Sequence, residues 1–162
     1  MNRVTLAPGL LFLTFILPAC GHKPPYEGRS VPELERMLED TDPKVQAQGA
    51  FGLSLKGGQA QPATPALIRA LASPDALVRQ QACVALGKIG PQAEATSALI
   101  GALADPEWVV RRQAAVALGQ AGTLTAAEEG LEKCRHDSNS QVRRAAADAL
   151  AILRKANGVG KK

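Results

Sequence analysis

The side chains best suited to bind an anion are three arginines that recur every 32 residues, Arg79, Arg111 and Arg143. A guanidinium group donates a fork of hydrogen bonds that fits phosphate or carboxylate, so a phosphate site is one interpretation. The other is structural: each Arg divides its donors between a carboxylate and backbone carbonyls at one point of a repeated unit. We favour the structural interpretation, because the repeat itself explains positions that follow its period.

The remaining sequence lacks the patterns that carry catalysis or bind metals. The two histidines, His22 and His136, lie in different regions, and no HExxH, paired CxxC, Gly-rich phosphate loop or GxSxG occurs. Glu128 and Glu129 are adjacent on a predicted helix and point about 100° apart, which favours an exposed acidic turn. We therefore predict a protein that is not an enzyme and that has no cofactor or metal site.

The elements that position the arginines are four copies of one pattern. Their sequences are VQAQGAFGLSLKG at 45–57, VRQQACVALGKIG at 78–90, VRRQAAVALGQAG at 110–122 and VRRAAADALAILR at 142–154. Self-similarity at this period is typical of stacked repeats.

Each copy has the apolar spacing of a helix, as at Val78, Ala82, Ala85, Leu86 and Ile89. The upstream segments are also helical, and their leucines share one phase of the repeat. The sequence therefore predicts an all-α fold, a right-handed solenoid of about four helical hairpins. The predicted repeat domain spans 31–157, with units at 31–62, 63–94, 95–125 and 126–156.

Recurring end signals support these helices. Ser30 and Glu33 have the spacing of a capping box. The pairs Thr64-Pro65, Ser73-Pro74 and Asp105-Pro106 are predicted to begin helices, and Gly57, Gly90 and Gly122 to end them.

The first 19 residues resemble an export signal, with Arg3 before an apolar run too short to cross a membrane. The run ends in LPAC, which resembles a bacterial lipobox and implies lipidation of Cys20. Residues 20–30 are predicted to be a flexible linker, and 158–162 a disordered basic tail. In a bacterium with two membranes, Gly21 after the Cys implies the outer membrane, facing the periplasm. The alternatives are the outer face of the cytoplasmic membrane or secretion.

Composition narrows the class of partner. The chain of 162 residues is 46% hydrophobic and 3% aromatic, with a formal charge of +4 and a pI of about 9.2. This charge is too mild and too evenly spread to indicate nucleic acid by itself. A membrane is expected to be contacted through the lipid only.

The repeated motif is Asp-Pro, then Val-Arg, then Ala-x-x-Ala-Leu-Gly-x-x-Gly. It resembles the HEAT-repeat family, in particular the short units related to phycobilisome-lyase HEAT-like repeats, over about residues 31–156. The resemblance implies a ladder between neighbouring units, formed by a corner Asp and the Arg six residues later. The ladder is expected to be partial and strongest between the last units. Its residues are Arg79, Asp105, Arg111, Asp137 and Arg143.

The resemblance also implies that the second helix of each hairpin lines a concave face. Its outward residues form a polar, mildly basic surface with apolar points, which suits a protein or peptide partner. The candidate partner-binding residues are Gln80, Gln81, Val84, Lys88, Arg112, Gln113, Val116, Gln120, Arg144 and Asp148. Trp108 is a further candidate, either as an exposed anchor or as packing over a corner.

Cys83 and Cys134 are predicted to be free and buried. One unit separates their helices, and helices pack about 8–10 Å apart, whereas a disulfide needs Cα atoms within about 7 Å.

These patterns together predict a non-enzymatic interaction module at the cell envelope. One alternative is an accessory or chaperone-like factor for an enzyme or cofactor. Another is a passive structural lipoprotein.

Overall fold

The computed structural model describes residues 23–90, 92–121 and 124–158, and every regular element within them is helical. The predicted all-α solenoid of helical hairpins is confirmed. The first helices of the hairpins are α1 (Val31–Met37), α3 (Thr64–Ala70), α5 (Ala93–Ala102) and α7 (Leu124–Cys134). The second helices are α2 (Pro43–Lys56), α4 (Ala76–Ile89), α6 (Trp108–Ala121) and α8 (Ser140–Ala156). A 3-10 helix, Gly57–Ala63, joins α2 to α3.

The second helices form one layer, in which α2 packs on α4, α4 on α6 and α6 on α8. Each first helix packs on the second helix of its own hairpin. Residues of one repeat phase are buried together in successive units, as a solenoid core requires. The leucines of the first helices, Leu34, Leu67, Leu99 and Leu131, are at most 1% exposed.

Small residues allow the second helices to approach closely. A Cβ atom added at Gly87 would lie 2.8 Å from the Cα and the Cβ of Ala117, and one added at Gly119 would lie 3.1 Å from the same atoms of Ala149. Each glycine thus faces the alanine of the next second helix. The spacing of α4, α6 and α8 depends on these two contacts.

The predicted helix starts are partly corrected. The capping box of α1 is present, with the Ser30 N–H donating to Glu33 Oε2 at 2.8 Å. Ser73-Pro74 does not cap α4; Asp75 does, its side chain accepting from the backbone N–H groups of Leu77 and Val78. The Ser-Pro pair instead lies in the corner before the helix. Asp75 has the extended backbone of an N-cap residue, and its carboxylate can therefore reach the free N–H groups at the start of α4.

Two further predicted starts are also displaced. Asp105 accepts from the backbone N–H of Glu107 at 2.9 Å and so closes the corner before α6, which begins at Trp108. Ala63 is the N-cap of α3, and Thr64 is its first helical residue.

Two of the three predicted helix-ending glycines, Gly57 and Gly90, follow α2 and α4 with φ values of +53° and +105°. Residues other than glycine rarely adopt these φ values. Gly122 lies outside the described residues, as do the signal segment 1–19, Cys20, Gly21, His22 and the tail residues 159–162.

The predicted flexible linker, residues 20–30, includes Tyr26, which packs against the core of the repeat domain. This side chain is half-buried and its ring meets that of Phe51 edge to face, with centroids 5.0 Å apart. Its Cβ lies 2.9 Å from the position of a Cβ built on Gly52. Gly52 has the repeat phase of Ala117 and Ala149, which face the preceding second helix. Tyr26 therefore covers the flank of α2 on which a preceding unit would pack.

Replacing Tyr26 with Ala is expected to lower the free energy of unfolding by about 1–2 kcal/mol, because α2 loses an aromatic pair and part of its apolar cover. Urea denaturation followed by circular dichroism measures the loss. Tyr26→Phe is the matched control and should leave the stability unchanged. Equal stability of Tyr26→Ala and the wild type would show that the segment contributes no cover.

None of the helices in 23–90, 92–121 and 124–158 combines the length and apolarity needed to cross a membrane.

Candidate interaction surface on the second helices

The corner arginines bind the neighbouring unit. Arg79 Nε and Nη2 donate to Asp105 Oδ2 and Oδ1 at 2.7 and 2.9 Å. Arg111 makes the same pair of bonds to Asp137 at 2.7 and 3.0 Å. Their side chains are only 9–15% exposed, so the ion pairs are well shielded from water. Each pair fastens one hairpin to the next.

The ladder differs from the expected one in its partners. Arg79 and Arg111 each pair with the Asp 26 residues later, in the next unit, whereas the residue six positions earlier supplies a backbone carbonyl. Arg79 Nη1 donates to Ser73 O and Arg111 Nη1 to Asp105 O, each at 2.9 Å. Ser73, at the position where the third and fourth units have Asp, therefore still accepts the hydrogen bond from Arg79, because the acceptor is a backbone carbonyl that any residue has.

The last arginine of the ladder differs from the other two. Arg143 Nη1 donates to the carbonyl oxygens of Asp137 and Ser138, at 2.7 and 3.0 Å, and has no carboxylate partner in the described part of the chain. The ion pairs consequently join the second unit to the third and the third to the fourth.

The electrostatics of the ladder follow from these bonds. Hydrogen bonds from Arg111 and from the Asn139 N–H lower the pKa of Asp137. Burial acts to raise the pKa of Asp105, but the bonds from Arg79 and the Glu107 N–H outweigh it, so the pKa is lowered. The guanidinium groups of Arg79 and Arg111 donate their hydrogen bonds to acceptors within the protein. This favours the structural interpretation over a phosphate site.

The second helices present a regular outward surface, which we call the outward stripe. It consists of positions i, i+4, i+7 and i+11 on each second helix, a spacing that keeps them on one helical face. The residues are Lys44, Gln48, Phe51 and Leu55 on α2; Leu77, Gln81, Val84 and Lys88 on α4; Val109, Gln113, Val116 and Gln120 on α6; and Gln141, Ala145, Asp148 and Ile152 on α8. Its outer rows are mostly exposed and its middle rows mostly half-buried.

The predicted partner-binding residues occupy this stripe or its edge. Val84, Val116, Gln81 and Gln113 are half-buried on the stripe, and Gln80 is half-buried beside it. The exposed members are Lys88, Arg112, Gln120, Arg144 and Asp148.

A groove brings the predicted residues of α6 and α8 together. It has a volume of about 620 Å³ and lies open between the two helices. Arg112, Val116 and Gln120 line it from α6, and Arg144, Asp148 and Ile152 from α8. The α4 candidates lie elsewhere on the stripe.

Sequence reasoning missed the part of the surface that α2 contributes. Phe51 and Gln48 line a smaller groove of about 270 Å³ together with Leu77 of α4, which is 48% exposed. Leu55 is 64% exposed. Aligning the first copy of the repeat, 45–57, with the later copies would have identified these α2 residues, because they have the same repeat phases as the α4 candidates.

Trp108 is the first residue of α6 and is half-buried against the core cluster. This placement favours packing over the corner rather than a fully exposed anchor.

Cys83 and Cys134 are free and buried, at 0% and 6% exposed. Burial raises the pKa of the Cys83 thiol to about 12, and burial also raises the pKa of Cys134. The thiolate is the reactive form, so both the raised pKa and the burial disfavour reaction of these thiols.

Neither buried thiol is expected to react with Ellman's reagent in the folded Cys20→Ala variant at about pH 8.5, where an exposed thiol is half ionised. Both should react once the chain is unfolded in urea. A thiol that reacts rapidly in the folded protein would show that its helix opens.

No group of three or more His, Cys, Asp or Glu residues that could hold a metal ion occurs within the ranges that the structure describes.

The stacked hairpins define an α-solenoid, in which each unit contacts its neighbours. The family described as HEAT repeats matches residues 31–119 and 64–151. Each match extends over more than half of the chain, so the chain belongs to the HEAT-repeat family. No curated protein matches it in sequence.

Solved structures show the same fold. Human deoxyhypusine hydroxylase is 29% identical, with a TM-score of 0.66 over 82% of this chain and 46% of that one. An engineered protein is 24% identical, with a TM-score of 0.60 over 78% and 63%. The complex of CpcE and CpcF of phycocyanin lyase from Nostoc is 21% identical, with a TM-score of 0.61 over 85% and 71%. The chain thus spans about half to two thirds of the first two structures.

Proposed function

We propose that this HEAT-repeat protein is a non-enzymatic interaction module, which a lipid on Cys20 anchors at the cell envelope and whose outward stripe binds a protein or peptide partner. The scaffold role is compatible with a solenoid, because its helices form an extended continuous surface.

One observation carries the proposed surface. Leu55, Leu77 and Ile152 are the exposed large hydrophobic residues among those described, at 64%, 48% and 55% exposed. All three belong to the outward stripe. Scattered exposed leucines are ordinary, but a set confined to one side of one layer is typical of a binding surface.

Affinity capture from envelope extracts tests this surface. The double variant Leu77→Gln/Ile152→Gln should lose a partner that the wild type retains, because two apolar contacts are removed. Glu94→Gln on α5, an exposed change off the stripe, is the matched control and should retain it. If the double variant captures the same proteins as the wild type, the outward stripe is not the binding surface.

Anchoring rests on the sequence of residues 1–20, and we propose the outer membrane, facing the periplasm, as the location. Radiolabelled palmitate should enter the wild-type protein and not the Cys20→Ala variant. Equal labelling of the two would exclude lipidation at this cysteine.

The accessory role for an enzyme or cofactor has no specific support beyond the fold that this chain shares with the phycocyanin lyase complex. A coloured preparation from the native host would favour it.

A further inference from the structure

Charge is segregated between the two helical layers, although it is mild over the whole chain. The second helices contain ten basic residues and one acidic residue, Asp148. The basic residues are Lys44, Lys56, Arg79, Lys88, Arg111, Arg112, Arg143, Arg144, Arg154 and Lys155. The first helices contain six acidic residues and three basic ones. The acidic residues are Glu33, Glu35, Glu94, Glu128, Glu129 and Glu132. The expectation of evenly spread charge is therefore wrong, because the second helices carry a strong basic excess and the first helices a smaller acidic one.

Several of these cations are already neutralised. Arg79 and Arg111 hold the corner aspartates, and Arg154 Nη2 binds Glu128 and Glu132 on α7 at 2.8 and 2.7 Å. Arg112 is exposed and has no carboxylate partner within the described ranges. Arg144 lies 3.8 Å from Asp148 in an exposed pair, which contributes little. Unused positive charge is thus left at the groove between α6 and α8.

The groove combines this charge with an apolar lining. Val116 and Ile152 lie one and two helical turns beyond the arginines of their own helices, and Ala145 and Ala149 complete the lining. Ile152 is 55% exposed. A partner that fits must therefore supply both carboxylates and an apolar side chain.

The spacing of the two arginines restricts the shape of that partner. Arg112 and Arg144 share one repeat phase on neighbouring helices, and packed helices are about 8–10 Å apart. A peptide in the extended polyproline II conformation has three residues per turn and advances about 3.1 Å per residue, so carboxylates three residues apart lie on one side of it and match this separation.

We propose that the α6–α8 groove binds an extended acidic peptide segment of a partner protein, with two carboxylates three residues apart on Arg112 and Arg144 and an apolar side chain over Val116 and Ile152. This inference rests on the proposed function of the outward stripe and adds the chemistry of the partner. Charge complementarity selects the acidic segment, and the apolar lining disfavours a phosphate-rich surface, because phosphates gain nothing from apolar contacts.

The experiment is a titration of the isotopically labelled full chain, followed by NMR, with a synthetic peptide Gly-Ser-Glu-Leu-Gly-Glu-Ser-Gly. Amide shifts should concentrate on α6 and α8. The peptide with Gln in place of both Glu residues should bind about tenfold more weakly, since two exposed ion pairs are lost. Arg112→Gln/Arg144→Gln should weaken binding of the acidic peptide to the same extent and should melt like the wild type, since both side chains are exposed.

A gain of affinity gives a second test. Asp148→Asn should bind the acidic peptide about twofold to threefold more tightly, because it removes the only acidic side chain of the groove and frees Arg144. If Asp148 and Arg144 had only structural roles, the affinity for the acidic peptide would not increase.

Four outcomes would overturn the inference: no binding, shifts outside α6 and α8, equal affinity for the Gln peptide, or tighter binding to phosphatidylglycerol vesicles or to single-stranded DNA than to the peptide. If the Gln peptide binds the groove as well as the acidic one, the acidic preference fails while the proposed interaction surface stands. If capture depends on Leu77 and Ile152 but the peptide does not bind, the partner is of another chemistry. If neither test succeeds, both proposals fail.

Discussion

The variant Arg111→Ala is expected to lose about 2–3 kcal/mol of unfolding free energy. Its guanidinium satisfies both carboxylate oxygens of Asp137, which is only 10% exposed, and two corner carbonyls. Removing it leaves a shielded carboxylate without its counterion, which costs more than the ion pair itself contributes. Urea denaturation followed by circular dichroism measures the loss, and the melting temperature should fall in parallel.

Arg112→Ala is the matched control, since Arg112 is the next residue on the same helix but is exposed. Its unfolding free energy should change by no more than about 0.5 kcal/mol. Equal stability of the two variants would show that the ladder does not hold the units together.

The ladder should also make stability depend on pH. The pKa of Asp137 is lowered in the folded protein by Arg111. A lowered folded pKa contributes stability above the unfolded value of about 4, and this stability is lost as the pH falls through the folded value. The difference in unfolding free energy between wild type and Arg111→Ala should therefore shrink between about pH 5 and pH 2. A difference that stays constant over this range would contradict the assigned ion pair.

Replacing Gly87 with Leu is expected to lower the unfolding free energy by about 3 kcal/mol. The new Cβ would lie 2.8 Å from the Cα of Ala117, a backbone atom of the neighbouring helix, so α4 and α6 must move apart. Overpacking of this kind costs more than the better helix propensity of Leu returns. Thermal denaturation measures the effect.

Gly101→Leu is the control for this prediction. A Cβ at Gly101, on the exposed side of α5, meets nothing within 4 Å. This variant should be more stable than the wild type by up to about 1 kcal/mol, because Leu favours the helix. If both variants are stabilised, the second helices are not held at their spacing by Gly87.

The fold was predictable because four copies of one sequence pattern give the same signal for helices and buried positions. The phase shared by Leu34, Leu67, Leu99 and Leu131 identifies buried positions independently in each unit. One misread unit would not have changed the interpretation. The resemblance to HEAT repeats implied the face of the second helices, and its residues were the positions off their apolar stripe.

The contacts between units were not predictable in the same way. Sequence spacing places Asp105 near Arg111 within a unit, but the stacking geometry decides that the carboxylate of Asp105 meets Arg79. Tyr26 was missed for a related reason: it precedes the first repeat, so no periodic signal marks it. The charge difference between the layers is hidden along the sequence, because first and second helices alternate there.

The two ends of the array differ in what they could accept. Tyr26 already covers the flank of α2 at Gly52, so a designed hairpin placed before α1 would have to displace this side chain. Arg143 has no carboxylate partner among the described residues, and a hairpin designed to follow α8 could supply one from its corner Asp. Lengthening by design is therefore directional, with new units favoured at the carboxyl end.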